Sequence, residues 1–415
     1  MSPVARVARQ ICAISGIMAT VALAGCMTTP PPRPLPPPPP RPPAVSQYQP
    51  GHPLTGEQPG FLRLGNIPGG SVPVRVGILL PFSNGSSATR DLADCMMKAA
   101  EMALYDSGRR NILLMSADEG SGGTEAAAGA RKLLAEGAEI IVGPLFGPSV
   151  SVVAPLARDH GVPVIAFSTD RAVSGNGVYL LSFQPENQIR RIVSYAVAQG
   201  HSAIAALVPR TAYGTRVLQV FRQSVAASGA HVTDLETYIP DPNAIAAPAQ
   251  AITAARPDAI LIAQGGTLLR DLAATLATDG EGSQKVQYLG TGVWDDPQTT
   301  QEPDLAGAWY AAPDPEAERA FETRYRDVYA SDAPPLAALA YDAVSLVSLL
   351  SSGPAYHRFT PEALTDPNGF SGIDGIFRFA ADGSSEQGLA VLKIEPGASP
   401  VVISPAPRTF EPPAS

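Results

Sequence analysis

Cysteine and lysine are scarce in this chain of 415 residues, which holds 3 of the first and, of the second, only Lys98, Lys132, Lys285 and Lys393. Cys12 and Cys26 lie in or beside an N-terminal export signal. That leaves Cys95 alone in the body, so no intramolecular disulfide is available there. An exported chain of this length relies on its hydrophobic core instead. Cys95 falls within a helical pattern and reads as a small buried hydrophobe. No Lys/Arg-rich run follows the signal. With a formal charge of −9 and a pI near 5.1, this argues against nucleic acid or an anionic lipid surface as a partner.

Catalytic signatures are missing as well. His52, His160, His201, His231 and His357 are dispersed, with no metal-ligand spacing among them. The Gly-Ser-Gly-Gly run at 120–123 lacks the Lys that a phosphate-cradling loop requires, and no Gly-x-Ser-x-Gly elbow is present. No lysine has a serine three residues before it, which excludes the Ser-x-x-Lys nucleophile of penicillin-binding enzymes and serine β-lactamases. Asp295-Asp296 could form an acidic pair, but adjacent carboxylates before Pro297 also make a turn. The expectation is a protein that is not an enzyme and uses no cofactor and no metal.

What is present begins with Arg6 and Arg9 ahead of an apolar run, Ile11 to Leu23, too short for a stable membrane span. It ends in Leu23-Ala24-Gly25-Cys26, which resembles the lipobox of bacterial lipoproteins. The resemblance implies that residues 1–25 are cut away and that Cys26 is lipidated, anchoring the chain to a membrane. Met27 stands where lipoproteins kept at the inner membrane usually carry Asp. The implied location is therefore the periplasmic face of the outer membrane. Residues 26–71 read as a tether, mostly proline from Pro30 to Pro43. In polyproline II, at about 3.1 Å per residue, such a tether reaches on the order of 140 Å at most. A disordered linker with no length requirement has the same composition.

From Val74 onward the pattern alternates between short apolar, β-branched runs and amphipathic helical ones. The stretch from Ile140 to Asp170 shows it best: two apolar runs, Ile140–Val142 and Pro163–Ala166, flank a helix with Val150, Val153, Ala154 and Ala157 on one face. Strict β/α alternation predicts parallel sheets flanked by helices. One sheet of that width would be unusual, so two Rossmann-like lobes are expected. Ligand crevices of such sheets lie outside the carboxyl ends of the strands, which points to the loops Gly143–Ser149 and Phe167–Asp170.

The order of motifs resembles the Leu/Ile/Val-type periplasmic binding proteins and, within them, the bacterial penicillin-binding protein activator family. The marks are VRVGILLPFS at 74–83, IIVGPL at 140–145, PVIAFSTD at 163–170, LVPRTAYG at 207–214, YLGTGVW at 288–294, Phe321 to Tyr325, LAYDAV at 339–344 and GFSGIDGIFRF at 369–379. The resemblance implies a type 1 periplasmic binding fold with three interlobe crossings, near Ser182–Pro185, Ala311–Pro313 and Gly369–Gly375. The expected domains are 72–184 as lobe 1, 185–311 as lobe 2, 312–371 returning to lobe 1, 372–407 returning to lobe 2 with a C-terminal strand, and 408–415 as a tail.

The candidates for lining a ligand cleft are Ser83, Phe146, Ser149, Ser168, Thr169, Tyr213, Gln264, Trp294 and Asp295. In amino-acid binders, a hydroxyl in the loop after the IIVGP-like strand helps grip the ligand carboxylate; Gly147 occupies that place, with Ser149 close by. Thr169 and Tyr213 match their counterparts. Gly292 stands where an acid should hold the ligand ammonium, leaving Asp295 or Asp296 as substitutes. Trp294 and Tyr213 could equally be core residues. Two functions are implied: a regulator of a penicillin-binding peptidoglycan synthase, or a receptor delivering an amino acid or related small polar ligand to the membrane subunits of an importer.

Overall fold

Strands β2 (Val74–Leu80) and β4 (Ile140–Val142) are buried at every residue, as strands must be when helices cover both faces of a parallel sheet. They form the centre of a six-stranded sheet with β1 (Phe61–Leu62), β3 (Ile112–Asp118), β5 (Val164–Ala166) and β6 (Val178–Leu180), in the order β1-β3-β2-β4-β5-β6. Only β1 runs antiparallel. Helices α1 (Ser87–Ser107), α2 (Gly123–Ala135) and α3 (Gly147–Asp159) connect the strands. The Ser86 side chain caps α1 at its start, and Gly108 in the left-handed region ends it. The described residues of this computed structural model are 61–65, 72–279, 286–355 and 357–410. The signal, Cys26, most of the tether and the end of the expected tail lie outside them.

The chain leaves the first sheet after β6 and builds a second lobe from α4 (Pro185–Ala198), β7 (Ala203–Pro209), α5 (Ala212–Ala227), β8 (His231–Tyr238), α6 (Ala246–Ala254), β9 (Ala259–Ile262), α7 (Gly266–Asp279), β10 (Gln287–Gly290), the single turn α8 (Pro297–Thr300) and β11 (Trp309–Ala312). Ile189, Ile192, Val193 and Ala196 are the inner stripe of α4, at the spacing an amphipathic helix demands. Among the described residues, no helix is long and apolar enough to cross a membrane.

After β11 the chain returns. Helices α9 (Pro315–Tyr329) and α10 (Pro335–Leu350) have no strand between them, and both pack on α1, sharing one core with the first sheet. Within α10, Asp342 is buried, whereas Tyr341 is half-buried and donates its hydroxyl to Asp106 at 2.9 Å. The turn α11 (Pro361–Leu364) leads to a separate antiparallel sheet of β12 (Phe370–Gly372), β13 (Gly375–Phe379) and β14 (Ser385–Gln387). This sheet packs on the first lobe. Phe370, Phe377 and Phe379 enter the first lobe's core, and Leu180 donates its N–H to Gly383 at 2.8 Å. The alternating phenylalanines of β13 have an apolar face to bury, and α10 with β6 supplies the surface for it. After Gln387 the chain joins the second sheet, where β15 (Ala390–Lys393) pairs antiparallel with β11 and β16 (Val401–Ser404) completes the order β16-β15-β11-β10-β9-β7-β8.

Candidate functional site

The loop after β5 meets the helix after β7 through Thr169 and Arg216, and polar groups of the loops after β2, β3, β4 and β10 are paired within the chain. At the end of β3, Asp118 accepts the backbone N–H of Ser83 at 3.1 Å and of Gly120 at 3.0 Å, and the Ser83 hydroxyl. Burial pushes this carboxyl up, but the hydrogen bonds from Ser83, Gly120 and Phe82 outweigh it and hold its pKa below the ordinary value. The Ser83 hydroxyl is thereby committed.

Glu119, the next residue, is fully buried. It accepts N–H from Leu145 at 2.8 Å and from Phe146 at 3.0 Å, and the Ser149 hydroxyl also bonds to it. Phe146 is the N-cap of α3 and offers no side-chain cap, so the Glu119 carboxylate satisfies donors that the helix start would otherwise leave open. Burial dominates its titration and raises its pKa despite those bonds. The loop reaches this position through Gly143, whose φ of 97° is a left-handed conformation and whose missing Cβ would lie 2.0 Å from the Leu79 carbonyl. At Gly147 an added Cβ would sit 3.2 Å from the Ser168 hydroxyl, so Ser168 fills the space of the absent side chain. Ser168 is itself buried and accepts the N–H of Asp170 at 3.1 Å.

Across the cleft, Arg216 on α5 spans three elements. Its Nη1 donates to the Thr169 carbonyl at 2.8 Å, and its Nη2 reaches Gln184 at 3.3 Å and both oxygens of Glu186, at 2.9 and 3.1 Å. Thr169 thus contributes its backbone to the contact. Tyr213, one turn before Arg216, shares a 3.1 Å hydrogen bond with Thr291. Burial raises its phenol, the Thr291 bond opposing.

The ammonium end is closed too. Gly292 donates its N–H to the side chain of Gln188 at 3.0 Å, and a Cβ at 292 would lie 2.8 Å from that amide nitrogen. Asp295 accepts the Tyr310 hydroxyl at 2.9 Å, and Asp296 caps α8 through Gln298 and the Thr299 hydroxyl. Burial raises the Asp295 carboxyl, the Tyr310 bond lowers it, and the charges of Asp296 and Glu322 raise it further. Neither acid is a spare counter-charge.

Two candidates do not present themselves to the cleft. Trp294 is fully buried against Gly290 and donates its indole N–H to the Gln264 carbonyl at 2.9 Å; its large apolar ring is a core element of lobe 2. Gln264 accepts the Tyr238 hydroxyl at 2.8 Å and donates to Gly265 at 2.9 Å, so its amide is consumed internally. Phe146 is 37% exposed and Ser149 buried, placing the first on the surface and the second under it. Sequence reasoning missed Glu119, Gln188 and Arg216. The first follows a strand directly, and the last lies three residues beyond Tyr213 on the same helix face, signals that could have marked both. Among the described residues, no three His, Cys, Asp or Glu side chains gather as a metal site.

The fold is shared with solved structures. A candidate branched-chain amino acid ABC transporter protein from Rhodospirillum rubrum superposes with a TM-score of 0.71 at 19% identity, over 80% of this chain and 100% of that one. A branched-chain amino acid ABC transporter periplasmic ligand-binding protein from Burkholderia xenovorans gives 0.66 at 16% identity, over 80% and 96%. A solute-binding protein from R. palustris in complex with benzoate gives 0.56 at 19% identity, over 82% and 98%. A Rickettsia prowazekii protein described as uncharacterized is 24% identical over 172 residues, which are 41% of this chain and 45% of that protein. The family model for periplasmic binding proteins matches residues 73–398, and the chain belongs to that family.

Proposed function

We propose that this chain is a non-enzymatic, lipid-anchored periplasmic protein that regulates a penicillin-binding peptidoglycan synthase by docking on it. One observation carries the reading: Ser149, beside the expected carboxylate grip, and Gly292, at the expected ammonium position, are paired within the chain itself. Glu119 occupies the N–H groups of Leu145 and Phe146, and Gln188 occupies that of Gly292. An α-amino acid needs an anion pocket and a fixed counter-charge together, and an unpaired buried ammonium is costly. Anchored through Cys26 at the outer membrane, the tether would supply reach and local concentration, and the docked lobes would favour the active state of the synthase.

A second reading, a solute receptor for an importer, draws on the Tyr213–Thr291 hydroxyl pair in the cleft and on the fold shared with a benzoate-bound protein. An aromatic carboxylate needs no ammonium counter-charge. The two readings separate in one paired experiment: glycan polymerisation by a purified synthase with and without this protein, and thermal shift with amino acids and aromatic carboxylates. Stimulation without a ligand shift supports the regulator. A saturable shift of RT ln(1 + [L]/Kd) without stimulation supports the receptor and sinks the regulator.

A further inference from the structure

A groove of about 760 Å³ lies away from the cleft, where the chain makes its last crossing. One wall is formed by α4 and α5 of lobe 2, the other by β13, β14 and the segment that ends at Phe410. On a chain of net charge −9, the groove gathers Arg190, Arg191 and Arg378 against a single acid, Glu386.

The three guanidinium groups are not equally available. Arg191 is spent on the Leu389 carbonyl at 2.8 Å and the Ser404 hydroxyl at 2.7 Å. Arg378 pairs with Glu386 at 2.7 Å, donates to the Pro367 carbonyl at 3.0 Å and lies 4.4 Å over the Phe410 ring. Exposed Arg190 makes one hydrogen bond among the described residues, to Asn187 at 2.9 Å, which leaves most of its donor fork free. Ser224, also lining the groove, is 6% exposed, and its hydroxyl has no partner among the described residues. A buried hydroxyl without a partner is a cost that an incoming acceptor removes. Gln223 adds an exposed side-chain amide beside it, and Phe410 an apolar wall.

We propose that this groove docks an extended acidic peptide segment of a partner protein. A carboxylate would meet the free fork of Arg190, backbone carbonyls would meet Ser224 and Gln223, and an apolar side chain would pack on Phe410. Because the walls belong to both lobes, the segment would bridge the crossing and bear on lobe movement. The inference rests on the docking reading above for the partner's being a protein.

The test uses the full chain and a fluorescein-labelled decapeptide of Glu, Ser and Leu, with a counterpart carrying Lys for Glu, read by fluorescence anisotropy. The Glu peptide should bind saturably and weaken with salt, and the Lys peptide should not bind. Arg190→Glu and the groove-filling Gln223→Trp should each weaken binding roughly tenfold or more. No saturable binding, equal binding of both peptides, or unchanged affinity in both variants would overturn the proposal. So would succinate competing as well as unlabelled peptide, which would assign the groove to small anions. If Arg190-dependent peptide binding persists while the synthase assay shows no stimulation, the synthase reading alone fails.

Discussion

Arg216 donates to the backbone carbonyl of Thr169 at 2.8 Å, joining the second lobe to a loop of the first. The same guanidinium neutralises Glu186, whose side chain is 5% exposed against 31% for the arginine. Removing the arginine would break the bridge and leave a buried carboxylate without its partner. Arg216→Ala should therefore cost about 3 kcal/mol in denaturant unfolding, in the range measured for broken buried pairs. The double change Arg216→Ala with Glu186→Gln should recover part of that loss. Small-angle scattering should show a larger radius for the single variant. An unchanged radius would mean that the contact does not hold the lobes.

Glu119 holds the loop that leads into α3. Glu119→Ala would orphan the N–H groups of Leu145 and Phe146 and the Ser149 hydroxyl, at about 1–3 kcal/mol for each buried donor left unpaired. Glu119→Gln keeps one acceptor and should cost clearly less. If the carboxylate also denies the loop to ligands, Glu119→Ala should show a thermal shift with acetate or benzoate that the parent chain lacks. Equal shifts in both would remove Glu119 as the occluding group.

Trp294 tests the boundary between cleft and core. With no exposed surface, a ring against Gly290 and an indole N–H on Gln264, it should behave as a core residue. Trp294→Ala should destabilise by about 3–5 kcal/mol. Trp294→Phe should cost less, while leaving the Gln264 carbonyl unpartnered. A Trp294→Phe variant of full stability that loses ligand binding would restore the residue to the cleft.

The alternation of β-branched runs with amphipathic helices marked the two parallel sheets because burial on both faces forces that pattern, as Val74–Leu80 and Ile140–Val142 show. The family resemblance implied a crossing near Ser182–Pro185, and α4 begins at Pro185. The allegiance of β12, β13 and β14 was not marked. Phe377 and Phe379 announce an apolar face but not which lobe receives it, and that depends on α10, some 30 residues earlier in the chain. The cleft divides in the same way. Candidate loops follow from strand ends, whereas the pairings Glu119 with Leu145, Gln188 with Gly292 and Arg216 with Thr169 join residues 26, 104 and 47 positions apart. No local spacing carries such contacts.

The proposed membrane attachment rests on one residue, Cys26. Cys26→Ala should move the protein from the membrane to the soluble periplasmic fraction, because acyl chains contribute about 0.8 kcal/mol per buried CH₂ and nothing else in the sequence replaces them. Deleting Pro30–Pro43 should leave membrane attachment and ligand shifts intact while weakening synthase stimulation in cells, if reach is the purpose of the tether. Undiminished stimulation with the shortened tether would show that the segment has no length requirement.

Half-buried Glu318 and buried Asp342 and Asp374 set the pH response. Glu318 on α9 is pushed up to about 7, chiefly by burial and then by the charges of Asp295 and Glu322, with Arg319 opposing. Asp342 and Asp374 are buried together; burial raises both, and the charge of Asp342 raises Asp374 further. Each of these groups holds its proton more tightly folded than unfolded. Between the unfolded value of 4.5 for Glu318 and its folded value of about 7, the folded chain therefore binds more protons, and stability falls as pH rises. Asp118 and Asp382 have lowered values and lose their contribution only at more acidic pH, below that window. The melting temperature should accordingly be higher near pH 5.5 than near pH 8. Glu318→Gln and Asp374→Asn should each flatten the slope, since neither amide can titrate. A parent melting temperature that rises over that interval would mean that these carboxyls do not carry protons in the folded chain.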